Sequence, residues 1–161
     1  MNHANTQAFV AEALAVPADR WRTPTVPGKW SPAQVTEHVV LAYEAGARIV
    51  SGEEPVSEGP PKFLRPIIRT AIRLTTLRTG KFPKSKTQPI FAPKDVAATQ
   101  SELCARLERA SISFEQVSGA AVSGGQKQFE HPFFGSFGVV EYMRFVAFHT
   151  AHHQKQLSWS G

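Results

Sequence analysis

One cysteine, no long apolar run and no internal repeat: what this chain lacks narrows it first. Cys104 stands alone among 161 residues, so no intramolecular disulfide can form and a core of ordinary size must hold the fold. A lone thiol suits a reducing compartment. The N-terminal Ala8-Phe9-Val10-Ala11 has no basic segment before it and runs straight into Glu12, so no signal peptide is expected. Nor is any apolar stretch long enough to span a bilayer. These absences predict a soluble, cytoplasmic protein folded as one domain over residues 1–161 and without stable membrane association. Cys104 adjoins an apolar helical stripe and reads as a core residue rather than a nucleophile.

Acid is also missing where base is dense. Lys62, Arg65, Arg69, Arg73, Arg78, Lys81, Lys84, Lys86 and Lys94 are half of the 18 basic residues, with no Asp or Glu among them, in a chain of net charge +5. Such a segment could meet an anionic partner. No nucleic-acid motif accompanies it, so no nucleic-acid partner is expected, and the plainer reading is a solvated helix face followed by a basic loop.

What is present is helical periodicity. Ala8, Phe9, Ala11, Ala13 and Leu14 mark a short helix over about residues 4–16, with His3 before it expected to be disordered. Pro17 and the run Pro24 to Gly28 enforce a connection. Ser31, Pro32 and Gln34 then form a capping box with proline at the first helical position, and Trp30 with Val35 suits a hydrophobic staple. That helix should run to about Val50, with Val35, His38, Val39, Ala42, Gly46 and Ile49 inward.

After a loop holding Pro55, Pro60 and Pro61, residues 64–79 are expected to form a basic amphipathic helix ended by Gly80. Its inward residues would be Leu64, Ile67, Ile68, Ala71, Ile72 and Leu74. Lys81 to Pro93 reads as a crossover loop. A further helix is expected from Lys94 or Asp95 to Val117, burying Val96, Leu103, Leu107, Ala110 and Phe114. Gly119 to Gly138 reads as a long loop with room for a short strand, and a last helix runs from Ser136 or Val139 to Leu157 or Trp159. Long amphipathic helices with two lengthy connections predict an all-α four-helix bundle with a long crossover and an additional short helix.

Chemistry concentrates at the C-terminal end. His149 and His153, four apart on the last helix, stand one turn above the other and continue the largely apolar face of Tyr142 and Val146. His38 occupies the equivalent inward stripe of the second helix. Three imidazoles entering one cavity from two helices would bind a divalent metal ion, zinc or nickel, and leave a position for water or substrate. His152 falls to one side of the row. His131, before proline in a loop, could approach the same cavity.

Trp30-Ser31-Pro32 opening a helix with Glu37-His38, the terminal run His149-Thr150-Ala151-His152-His153-Gln154-Lys155-Gln156-Leu157, and the loop His131-Pro132-Phe133-Phe134-Gly135 together resemble the DinB-like superfamily. That superfamily includes metal-dependent thiol S-transferases. The middle of the chain matches only in helical character. The resemblance implies a four-helix bundle with a long crossover, a homodimer, and ligands at His38, His149 and His153 with water completing the site. It also implies an enzyme that activates a low-molecular-weight thiol toward an electrophile, with the basic segment available to an anionic thiol. A hydrolase using metal-bound water is the alternative, but Glu37 points a quarter-turn from His38 and Glu141 lies two turns before His149, so neither suits a general base. A non-catalytic bundle holding a metal or small ligand is the third reading.

Overall fold

The computed structural model describes residues 2–24, 26–53, 59–83, 87–94 and 96–157. Expectations that touch Pro55, Lys84, Lys86, Asp95 and Trp159 lie outside them. Four helices build the bundle: α1 (Asn2–Ala15), α2 (Pro32–Val50), α5 (Gln100–Ser123) and α6 (Val139–Gln154). Between α2 and α5 the crossover carries α3 (Arg65–Leu74) and the single turn α4 (Thr76–Thr79), which pack on the α6 side. A hairpin of β1 (Gln128–His131) and β2 (Gly135–Gly138) precedes α6.

α2 is the central element, packed on α5 along most of its length and on α6 near the site. Ser31 Oγ accepts the Gln34 N–H while Gln34 Oε1 accepts the Ser31 N–H, the reciprocal cap its sequence predicts, contributing about 1 kcal/mol. Burial extends beyond the expected stripe to Thr36, Val40, Tyr43 and Ala45, because α2 has neighbours on several sides. A forked pair ties it to α5: Arg106 Nε and Nη2 reach the two Glu44 carboxylate oxygens at 2.8 and 2.7 Å, the planar match that guanidinium and carboxylate favour. The Tyr43 hydroxyl lies 3.0 Å from Thr6 Oγ1 and 3.1 Å from Thr150 Oγ1, joining α1, α2 and α6 through a buried polar knot.

Several boundaries depart from expectation. α1 begins at Asn2 and takes in His3, whose backbone N–H donates to Glu115 on α5; this contact orders an end expected to fray. Of the apolar residues that mark α1, Phe9 and Ala13 are buried, together with Thr6 and Val10, while Leu14 is exposed. α5 starts at Gln100, not near Lys94, because Thr99 and Glu102 form a second capping box. It continues past Gly119 to Ser123 and stops where Gly125 takes φ +83°. The expected helix over 64–79 is broken: a 3-10 turn at Lys62–Leu64 leads into α3, and Thr75 at φ −101°, ψ −80° separates α3 from α4. Ile67 and Leu74, expected inward, face solvent.

The stretch before α6 is an antiparallel hairpin in the register Gln128↔Gly138 to His131↔Gly135. Gly135 takes φ +65°, the left-handed conformation that closes a short hairpin loop and strains any other residue. Cys104 is buried, and desolvation with the neighbouring Glu108 raises its thiol to about 11, as a core role requires. No described helix is long and apolar enough to cross a membrane.

Candidate metal centre

His38 on α2 and His149 and His153 on α6 converge, with one ring nitrogen of each within 4.8 Å of the others. His149 Nε2 lies 3.1 Å from His38 Nε2 and 3.1 Å from His153 Nε2. The outer nitrogens of His38 and His153 are already committed. His38 Nδ1 is 2.8 Å from the Phe91 carbonyl oxygen, which can only accept, so Nδ1 carries the proton and Nε2 a lone pair. His153 Nδ1 likewise meets Gln156 Oε1 at 3.0 Å. Two lone pairs therefore face His149 Nε2, and a single N–H there can satisfy only one of them. A cation accepting all three nitrogens removes that conflict.

The spacing fits such an ion. Metal–nitrogen bonds of about 2.0–2.1 Å place neighbouring ligand atoms roughly 3.0–3.4 Å apart, for octahedral and tetrahedral geometry respectively. Charge state fits as well. Burial lowers the pKa of all three histidines, that of His153 to about 3 and that of His149 well below the ordinary 6.5, with mutual repulsion adding to desolvation. Neutral imidazole is the ligating form. His38 and His153 are buried and His149 is half-buried, with the rings of Phe82 and Phe145 against it.

The walls are aromatic. Trp30 sits 5.0 Å from the His38 ring, and Phe82 stands 5.6 Å from His149 and 5.3 Å from Phe145. Phe91, Gln156, Trp30 and Phe82 were not identified as site residues in the sequence. Gln156 had a usable signal, since a residue three after His153 shares its helix face and ligating histidines need an acceptor for their second nitrogen. Replacing the exposed Gln156 by Leu is expected to weaken metal binding about 10–100-fold with little change in melting temperature; competition with a chromophoric chelator measures it.

His152, Glu37 and Glu141 stand outside the trio, as their spacing predicts. His152 lies beside the trio, its ring 5.1 Å from His153. Glu37 accepts the Lys94 N–H at 3.1 Å, and Glu141 pairs with Arg73 at 2.6 Å and accepts the Gly138 N–H at 3.3 Å. His131 does not join the cluster. It lies on β1, stacked on Phe134 at 4.2 Å and edge-on to Tyr142, with Nδ1 accepting the Phe133 N–H.

Desolvation, with Arg65 nearby, brings the His131 pKa down to about 3 from the ordinary 6.5. The unfolded chain binds this proton below 6.5 and the folded chain not until about 3, so stability is full above 6.5 and is lost as pH falls through that window. Urea titrations between about pH 7 and pH 4.5 should show stability falling, by up to about 1.4 kcal/mol per pH unit for this group. His131→Gln should lessen the slope.

These elements define the class: a four-helix bundle in which three histidines from two helices form a cluster that could hold a metal ion. The DinB superfamily model matches residues 2–157, and the chain belongs to that superfamily. Its backbone is similar to the crystal structure of TT2238, a four-helix bundle protein, at 24% identity and a TM-score of 0.57, over 94% of this chain and 88% of that one. Comparison with curated proteins yields no match.

Proposed function

We propose that His38, His149 and His153 hold a divalent cation, zinc or nickel, and that the protein is a transferase acting on a low-molecular-weight thiol. The observation that carries this reading is the convergence of three imidazole Nε2 atoms, two of them with their Nδ1 hydrogens already donated to Phe91 and Gln156. When bound, such a cation supplies stabilisation of a thiolate at neutral pH. The chain's own residues do the rest. Phe91 and Gln156 fix the imidazole tautomers, and Trp30 and Phe82 limit water.

Metal-dependent hydrolysis is the weaker reading, because Glu37 and Glu141, the carboxylates nearest the three histidines in sequence, are engaged with Lys94 and Arg73 and so are not free to act as general base. A purely structural metal would predict a closed site and a large loss of melting temperature on chelation. The superfamily resemblance further favours a homodimer, and the lone thiol of Cys104 suits the cytoplasm; sedimentation velocity and fractionation would test the two.

The decisive experiment loads the protein with cobalt or nickel and titrates cysteine and glutathione. A new thiolate-to-metal absorption band, and turnover with an alkylating electrophile, are the expected results. A metal-loaded site that no thiol perturbs, with no turnover across a panel of thiols, would overturn the transferase reading.

A further inference from the structure

α3 carries two apolar stripes. Leu64, Ile68 and Ile72 are half-buried against the bundle. Ile67 and Leu74, seven residues apart on α3, lie within about 20° of arc at roughly 100° per residue, and Phe63 precedes them in the 3-10 turn Lys62–Leu64. Phe63, Ile67 and Leu74 are 75%, 65% and 62% exposed, the most exposed large apolar residues among those described. α3 meets the bundle through Ile68 and Ile72, which are half-buried against its core.

The cations divide in the same way. Arg69 donates to the Ser136 carbonyl at 2.6 Å and Arg73 pairs with Glu141 at 2.6 Å, so both are spent inside the fold. Lys62, Arg78 and Lys81 are exposed, and their side chains make no ion pair among the described residues. No Asp or Glu occurs between residues 62 and 94 to neutralise them. The crossover therefore exposes three large apolar side chains, with exposed cations before them in sequence at Lys62 and after them at Arg78 and Lys81.

Charge complementarity selects the occupant. A second copy seated on this surface about a two-fold axis would bring two sets of the same cations together. A nucleic-acid backbone would answer the cations and leave Phe63, Ile67 and Leu74 against phosphate. An anionic bilayer answers both, because acyl chains receive the apolar side chains while headgroups meet the lysines and arginine. We propose that the outer face of the 62–81 crossover docks the protein reversibly on an anionic lipid surface, through Phe63, Ile67 and Leu74 with Lys62, Arg78 and Lys81.

The test is co-sedimentation of the full, metal-loaded chain with vesicles of phosphatidylcholine alone or containing phosphatidylglycerol. Binding should require phosphatidylglycerol, weaken with salt, and fall about tenfold or more both in Phe63→Ser/Ile67→Ser/Leu74→Ser and in Lys62→Glu/Arg78→Glu/Lys81→Glu. Circular dichroism and metal content should be unchanged in each variant. Should the serine variant not fold, Phe63→Trp decides the apolar half: its added fluorescence, relative to wild type, should shift to the blue on phosphatidylglycerol vesicles. Absence of vesicle binding would overturn the proposal, as would binding undiminished in the glutamate variant or an added indole emission in Phe63→Trp that stays solvent-like. Self-association abolished by the serine variant, without vesicle binding, would assign this surface to a second copy instead.

Discussion

His149→Ala is expected to reduce the metal content of the purified protein from about one ion per chain to near zero. His149 Nε2 is the nitrogen within 3.1 Å of both partners, so its loss leaves His38 and His153 without a common ligand between them. Outer contacts such as that of Gln156 are worth about 10–100-fold in affinity, and a ligand itself should exceed that. His38→Ala should lose the ion equally, and that joint loss is what places two separate helices in one site. His131→Ala and His152→Ala, whose rings lie outside the trio, should retain it. Mass spectrometry on untagged protein measures the content. A thermal readout checks it independently, because metal at roughly 100 times Kd should add about 2.7 kcal/mol of stability to wild type and nothing to His149→Ala.

Much of this centre is legible in sequence because its parts are periodic. His149 and His153 are set four apart by one helix, and His38 lies in a stripe whose start is announced by Ser31, Pro32 and Gln34. Helical spacing is a local property, so the ligands can be read without the fold. What completes the site is not local. The acceptor for His38 is a backbone carbonyl, that of Phe91, 53 positions away in a connection without period, and a carbonyl has no side-chain signature. Phe82 reaches His149 from that same connection.

The misread boundaries share a cause as well. Gly119 resembles a helix stop, yet nothing lies within 4 Å of where its Cβ would be and its φ is not positive; it is a tolerated helix glycine, and the stop is at Gly124 and Gly125. On α3, spacing by three and four admits two apolar stripes, and periodicity alone assigns both to the core. Only the packed structure separates Ile68 and Ile72 from Ile67 and Leu74.

Phe114→Ala should cause a large loss of stability without the loss of metal that marks His149→Ala. Phe114 is fully buried on α5, with its ring 5.6 Å from Tyr43 on α2 and 5.8 Å from Tyr142 on α6. Gly46 brings α2 so close that a Cβ there would lie 3.2 Å from the Phe114 ring, so this side chain fills the space between three helices. Truncating it should cost about 3–5 kcal/mol, lowering the melting temperature by roughly 2–4 °C per kcal/mol for a chain of this size. Phe114→Leu should cost distinctly less, since it keeps most of the volume. Tyr43 lies about one and a half turns from His38 and Tyr142 about two turns from His149 along their helices, so the cavity opens in the core and not at the imidazoles. The folded fraction of Phe114→Ala should still take up about one ion per chain. Metal loss in that folded fraction would instead mean that α2 and α6 rely on Phe114 to hold their histidines in reach, and would make the α5 contact part of the site.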